Sequence, residues 1–123
     1  MTPEQLSDLA LDLPETTEDE AFGPGAAVFK VEAKVFAILE HASGGTPAQV
    51  TLKCEPDLAL ELREQYPAVG PGYHVNKRHW NTVVLNGTVP GDEIREMVEH
   101  SYDRVISGLP KAVRDRLRLL RAA

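Results

Sequence analysis

The amino-acid sequence predicts a two-layer α+β domain. An antiparallel sheet of about five strands carries helices mainly on one face, in the order αβββαββαα. Three observations predict it. Runs rich in Val, Phe and Ile fall between residues 27 and 53 and are separated by turn-length segments. Apolar stripes at helical spacing precede and follow them. Proline and glycine punctuate the joins.

Thr2-Pro3-Glu4-Gln5 reads as a helix start, with Thr2 as N-cap, Pro3 at the first position and Gln5 completing a capping box. Leu6, Leu9, Ala10 and Leu13 form one stripe before Pro14 stops the helix. Glu15 to Glu20 is expected to be a polar acidic loop, and Gly23-Pro24-Gly25 a turn. Ala27 to Val31 and Lys34 to Glu40 read as a tight hairpin. Glu32-Ala33 is a disfavoured turn pair because neither residue takes positive φ easily, which leaves the register open. Gln49 to Lys53 is a third strand, with Val50 and Leu52 inward. Glu55-Pro56-Asp57 opens a second helix whose Leu58, Leu62 and Tyr66 share a face. Val69 to Gly72 reads as loop, Tyr73 to Val75 as a short strand and Asn81 to Leu85 as a clearer one, closed by Asn86-Gly87. Pro90 starts a long helix with a stripe of Ile94, Met97, Val98, Tyr102, Val105 and Leu109. Lys111 to Arg121 forms the last helix, with Val113, Leu117 and Leu120 inward.

The chain has 123 residues, 42% hydrophobic and 26% charged. Residues 1–123 therefore read as a single domain, large enough to bury a core without disulfide or metal. No apolar run approaches the ~20 residues that cross a bilayer, so no membrane partner is expected. The polar start MTPEQLSD predicts no leader, and the single cysteine excludes an internal disulfide. A reducing, cytoplasmic location is the expectation.

The net charge of −6 is unevenly spread. Residues 1–20 hold seven acids and no base, so an acidic head, helix and loop 1–21, precedes the rest. Residues 65–91 contain no acid, and the basic helix 110–121 carries Lys111, Arg114, Arg116, Arg118 and Arg121 against Asp115. Arg114, Arg118 and Arg121 share a helical face, which reads as solvated or as a contact for the acidic head. An acidic chain argues against strong, non-specific nucleic-acid binding but leaves room for a local patch.

The carboxylate-free segment from Gly70 to Thr82 is the unusual part. Tyr73, His74, Asn76, Lys77, Arg78, His79, Trp80 and Asn81 combine imidazole, indole, cation and amide groups. Cations suit phosphate, and Tyr73 and Trp80 offer faces for base stacking. The alternative is structural, with Trp80 in the core and the asparagines bonded to loop backbone. No catalytic residue and no cofactor is assigned. His74 and His79 lack metal-ligand spacing, Cys54 reads as a buried small hydrophobe, and no phosphate-binding or nucleophile motif is present.

Val28-Phe29-Lys30-Val31, Val35-Phe36-Ala37, Leu52-Lys53-Cys54, Gly72 to Lys77, His79 to Val83, Ser101-Tyr102 and Leu109-Pro110 together resemble the MmcQ/YjbR family over about residues 22 to 113. The resemblance implies a small bacterial α+β domain, related to CyaY-like and secretion-chaperone-like architectures. The label DNA-binding attaches to that family by fold analogy. The sequence departs from the pattern at Glu32-Ala33, where Gly-Lys is expected. The resulting expectation is a non-enzymatic module that contacts DNA weakly and salt-dependently through loop 72–82, with Lys30, Lys34 and Lys53 as supporting cations. A small-molecule or peptide module, and a chaperone-like protein-interaction domain, are the alternatives.

Overall fold

The computed structural model describes residues 1–20, 23 and 25–123. Phe22 and the Pro24 of the expected Gly23-Pro24-Gly25 turn lie outside the described residues, as does Ala21 at the end of the acidic head. The described elements are α1 (Pro3–Asp12), β1 (Thr16–Asp19), β2 (Ala26–Val31), β3 (Lys34–Glu40), β4 (Gln49–Lys53), α2 (Pro56–Gln65), β5 (Val69–Pro71), β6 (Trp80–Val84), α3 (Gly91–Ile106) and α4 (Lys111–Ala122). The chain is thus α+β, and every neighbouring pair in the sheet order β1-β2-β3-β4-β6-β5 is antiparallel.

Local chemistry sets the helix starts. Thr2 accepts from the Gln5 N–H while the Gln5 side chain accepts from the Thr2 N–H, a complete capping box. Glu55 caps α2 by accepting from the N–H groups of Asp57 and Leu58. Those two bonds hold its carboxyl below the usual carboxylate range.

The sheet has six strands rather than five. The expected acidic loop pairs with β2 as β1, Thr16 opposite Val31 and Asp19 opposite Val28. Pro14 ends the helical path, Glu15 reverses the chain at φ 55°, and the free edge of β2 takes up the backbone groups of Thr16 to Asp19. Charged side chains on this edge strand discourage pairing with another chain. At the other edge the strand is Val69–Pro71, and Tyr73 to Val75 is turn, the reverse of the sequence expectation. Pro71, which has no N–H to donate, is tolerated there because β5 is an edge.

The Glu32-Ala33 hairpin closes with both residues at positive φ, 49° and 61°. That is the twist a two-residue hairpin wants, reached with side chains that resist it. Its register slips at Phe36, since Phe29 pairs with Ala37 but Lys30 with Val35. The extra residue lets Phe36 and Ala37 both be buried.

All four helices lie on one face. Phe29, Leu39, Val50, Leu52 and Val83 from the sheet share a core with Leu6, Ile94, Val98, Tyr102, Ile106 and Leu117. Tyr102 is fully buried, meets Phe36 edge to face at 5.4 Å, and donates its hydroxyl to the Pro14 carbonyl at 2.8 Å. Burial pushes that phenol up to about 12. Ser101 donates to the Phe36 carbonyl and accepts from the Lys53 N–H at 2.8 Å, so α3 is bonded to the ends of β3 and β4.

The expected cationic face of α4 divides. Arg121 pairs with Glu99 at 3.2 Å and with Asp103, and lies 5.5 Å from the Tyr102 ring centre, while Arg118 is exposed. The contact with the acidic head comes from Arg116, bidentate to Glu15 at 3.0 and 2.9 Å and bonded to Glu32 at 2.9 Å. Leu120, expected inward, is 49% exposed because α4 turns only Leu117 fully into the core.

Candidate functional site

Strand alternation decides which side chains face away from the helices. Leu52 and Asn81 pair on the helix side, so Thr51 and Thr82, and then Lys53 and Trp80, pair on the other. On β2, Phe29 faces the helices and Lys30 the open side, where its ammonium meets Asp19 at 3.3 Å. Lys30, Lys53 and Trp80 therefore occupy one end of the open face, a row about 14 Å long at ordinary strand spacing. Lys34 pairs with Val31, an inward residue, and stands outside that row.

The segment 72–79 folds around this end of the sheet. The Tyr73 N–H donates to Thr82 Oγ1 at 3.0 Å, and Thr82 Oγ1 meets Thr51 Oγ1 at 2.8 Å beneath it. Gly72 donates to the Trp80 carbonyl at 2.9 Å. A Cβ at Gly72 would come within 2.7 Å of Trp80 Cβ and 2.6 Å of Val75 Cγ2, so only glycine allows this approach.

The eight loop residues expected to meet a ligand separate into two groups. Asn81 is 3% exposed; its Oδ1 accepts from Arg63 Nε at 2.7 Å and its Nδ2 donates to the Ala59 carbonyl at 3.3 Å. Lys77 donates its ammonium to the Gly72 carbonyl at 3.0 Å, and Asn76 Oδ1 accepts from the Arg78 N–H at 2.9 Å. These three serve the loop itself. Tyr73 and Arg78 are exposed, and His74 is exposed with φ 60° and its ring 3.9 Å from that of Tyr73. His79 and Trp80 are half-buried.

Arg63 is the residue that sequence reading missed. From α2 it donates to Asn81 Oδ1, to the Lys77 carbonyl and, at 3.2 Å, to the Trp80 carbonyl. One guanidinium thus fixes both ends of the turn that leads into β6. Its partners lie 14 to 18 positions away, so no local spacing signals it.

Beside Tyr73 and His74 the open face is concave. A groove of about 680 Å³ runs between that pair and the β3–β4 connection, with Ile38 in its floor and Glu40, His41 and Ser43 along the opposite wall. Cys54 and His100 lie away from this groove, beside α2 and α3. Cys54 is buried, and burial together with the Glu55 carboxylate pushes its thiol up to about 11. His100 Nε2 accepts from the Glu55 N–H at 3.1 Å, and burial keeps the imidazole neutral below the usual histidine range. Among the described residues no three His, Cys, Asp or Glu side chains converge to hold a metal. Among them, too, no helix is long and apolar enough to cross a membrane.

The family model described as YjbR matches residues 11–104, which contain the whole loop and every strand. The chain belongs to the YjbR family. The Escherichia coli O157:H7 protein YbdF is 37% identical over 115 residues, 89% of this chain and 88% of that one. YjbR of Escherichia coli K12 is 40% identical over 89 residues, covering 72% and 74%. Among solved structures, the Deinococcus radiodurans protein DR2400, a DUF419 domain, superposes with a TM-score of 0.85 at 35% identity over 94% of this chain and 90% of that one. A Pseudomonas syringae protein gives 0.71 at 33% identity, covering 82% and 96%. None of these names carries an activity. Family membership fixes the fold of this YjbR-family chain, and its ligand has to be argued from the open face.

Proposed function

We propose that this YjbR-family chain is a binding module, not an enzyme, that contacts single-stranded nucleic acid through the open face of its sheet. One observation carries the reading: the β4–β6 register sets Lys53 beside Trp80 on the helix-free side, with Lys30 two strands away. Exposed Tyr73 lies over the open face against Thr82, and exposed Arg78 stands just before the start of β6. A sheet that offers aromatic faces between cations suits splayed bases and a backbone of phosphates, with little sequence readout. The contact set thus narrows from the whole loop to Tyr73, Arg78 and Trp80 with Lys30 and Lys53. Asn76, Lys77 and Asn81 support the loop. The buried, proton-retaining thiol of Cys54 supports a non-catalytic reading.

Fluorescence anisotropy of a labelled single-stranded oligonucleotide against salt tests this. Three neutralised phosphates give a log–log slope of about −2, and dissociation constants at low salt on the order of 100 μM. Lys53→Glu with Lys30→Glu abolishes the signal while the fold is retained. A flat slope, or a double variant that binds as well as the parent, removes the proposal.

A second reading is favoured by the groove beside Tyr73 and His74, whose concave, histidine-bearing wall suits a small ligand. It predicts that Tyr73→Ala changes binding while the lysine substitutions do not.

A further inference from the structure

The helix side of the sheet contains a cavity of about 250 Å³ where α2 and α3 diverge. α2 rests on β5 and β6 and α3 on β2, β3 and β4, so the cleft between the two helices opens over the β4–β6 seam. Leu52 and Val83 form its floor, and Leu58, Leu62 and Met97 its walls. This explains why Leu58 and Leu62, which share the expected inward face of α2, are only half-buried.

We propose that this cavity binds a small organic cation, a primary amine on an apolar body the size of one aromatic ring with a short arm. The volume and walls set the body, since a dry apolar cavity of roughly 150 Å³ already holds benzene. The charge follows from the mouth. Glu93 and Glu96 sit three residues apart on α3, on one face of the helix, and neither has an ion-pair partner among the described residues. Of the nearby cations, Lys53 belongs to a strand position whose side chain faces the other side of the sheet, Arg63 is bonded to Asn81 and the loop carbonyls, and Arg104, whose charge acts on Cys54 and His100, does not line the cavity. Asn81 has both amide atoms bonded within the protein and offers nothing to a ligand. His100 accepts at Nε2 from the Glu55 N–H, so its ring proton sits on Nδ1, which has no protein acceptor among the described residues. The two carboxylates suit the ligand's ammonium, and that N–H suits the face of its ring.

The site lies on the opposite face from Lys30, Lys53 and Trp80, so it stands or falls independently of nucleic-acid binding. The experiment is a methyl NMR titration of the full chain with 2-phenylethylamine and, separately, with 3-phenylpropionate, which has the same ring and opposite charge. The amine is expected to shift the methyl resonances of Leu58, Leu62 and Met97 saturably, with a dissociation constant on the order of 1 mM for so few atoms. The carboxylate is expected to leave them unmoved. Glu93→Gln with Glu96→Gln weakens the amine by about fivefold, the range of a solvent-exposed ion pair. Leu62→Phe, which fills the cavity, abolishes the shifts. Equal response to amine and carboxylate, no saturable shift at these methyls, or unchanged affinity in the double glutamine variant overturns the proposal.

Discussion

Replacing Arg63 by alanine tests whether loop 72–82 is held from the helix side. The substitution removes the donor to Asn81 Oδ1 and to the carbonyls of Lys77 and Trp80. Asn81 is 3% exposed, so water reaches its orphaned oxygen poorly. An unsatisfied buried acceptor costs about 1–3 kcal/mol, and hydrogen bonds from a charged donor are worth about 1.5–3 kcal/mol each. Arg63 itself is half-buried and part of its loss is repaired by solvent, so about 2 kcal/mol is expected. At the usual unfolding entropy for a chain of this length, that lowers Tm by about 8 °C. Arg63→Lys recovers little, because one ammonium cannot serve three acceptors set in a fork. Urea unfolding measures the free energy, and amide exchange at His79 and Trp80 reports the loop directly. A loss below about 0.5 kcal/mol, or unchanged exchange at those amides, refutes the reasoning. A double-mutant cycle with Asn81→Ala then isolates the pair, expected to couple by about 1 kcal/mol.

Three further outcomes follow. Gly72→Ala overpacks the contact with Trp80 and Val75 and costs about 1–3 kcal/mol by thermal or chemical unfolding; a neutral result would mean the loop moves freely. Ala33→Gly relieves a side chain held at φ 61° and raises the urea midpoint, by about 1 kcal/mol of stability. Acid acts in two windows. The native pKa of His100 is lowered from 6.5, so as pH falls below 6.5 the unfolded chain takes the proton first and stability drops. The native pKa of Glu55 is lowered from 4.5, so its cap contributes above that value and is lost as pH falls through the native one. His100→Gln is therefore expected to flatten the urea midpoint as pH falls below 6.5, and Glu55→Gln to flatten it only below 4.5; an unchanged profile in both variants refutes the assignment.

Composition and periodicity alone determined the α+β class, the four helices, strands β2, β3, β4 and β6, and the cap at Thr2, because each rests on interactions within a few residues. The capping box at Thr2 and Gln5 and the stripe of α3 are of that kind. The family was also legible, since the run from Gly72 to Val83 is long and uninterrupted. What lay beyond reach depends on partners far along the chain. β1 exists because the edge of β2 was open, not because Thr16 to Asp19 is a good strand. The hairpin register was set by a bulge that buries Phe36 against Tyr102, a contact across 66 positions. The loop that looked like one basic, aromatic surface became two things in three dimensions. Arg63 and the backbone claimed Asn76, Lys77 and Asn81, while strand alternation turned Trp80 toward Lys53 on the open side. Side-chain types are written in the sequence, but the side of the sheet each one faces is fixed only when the strands pair.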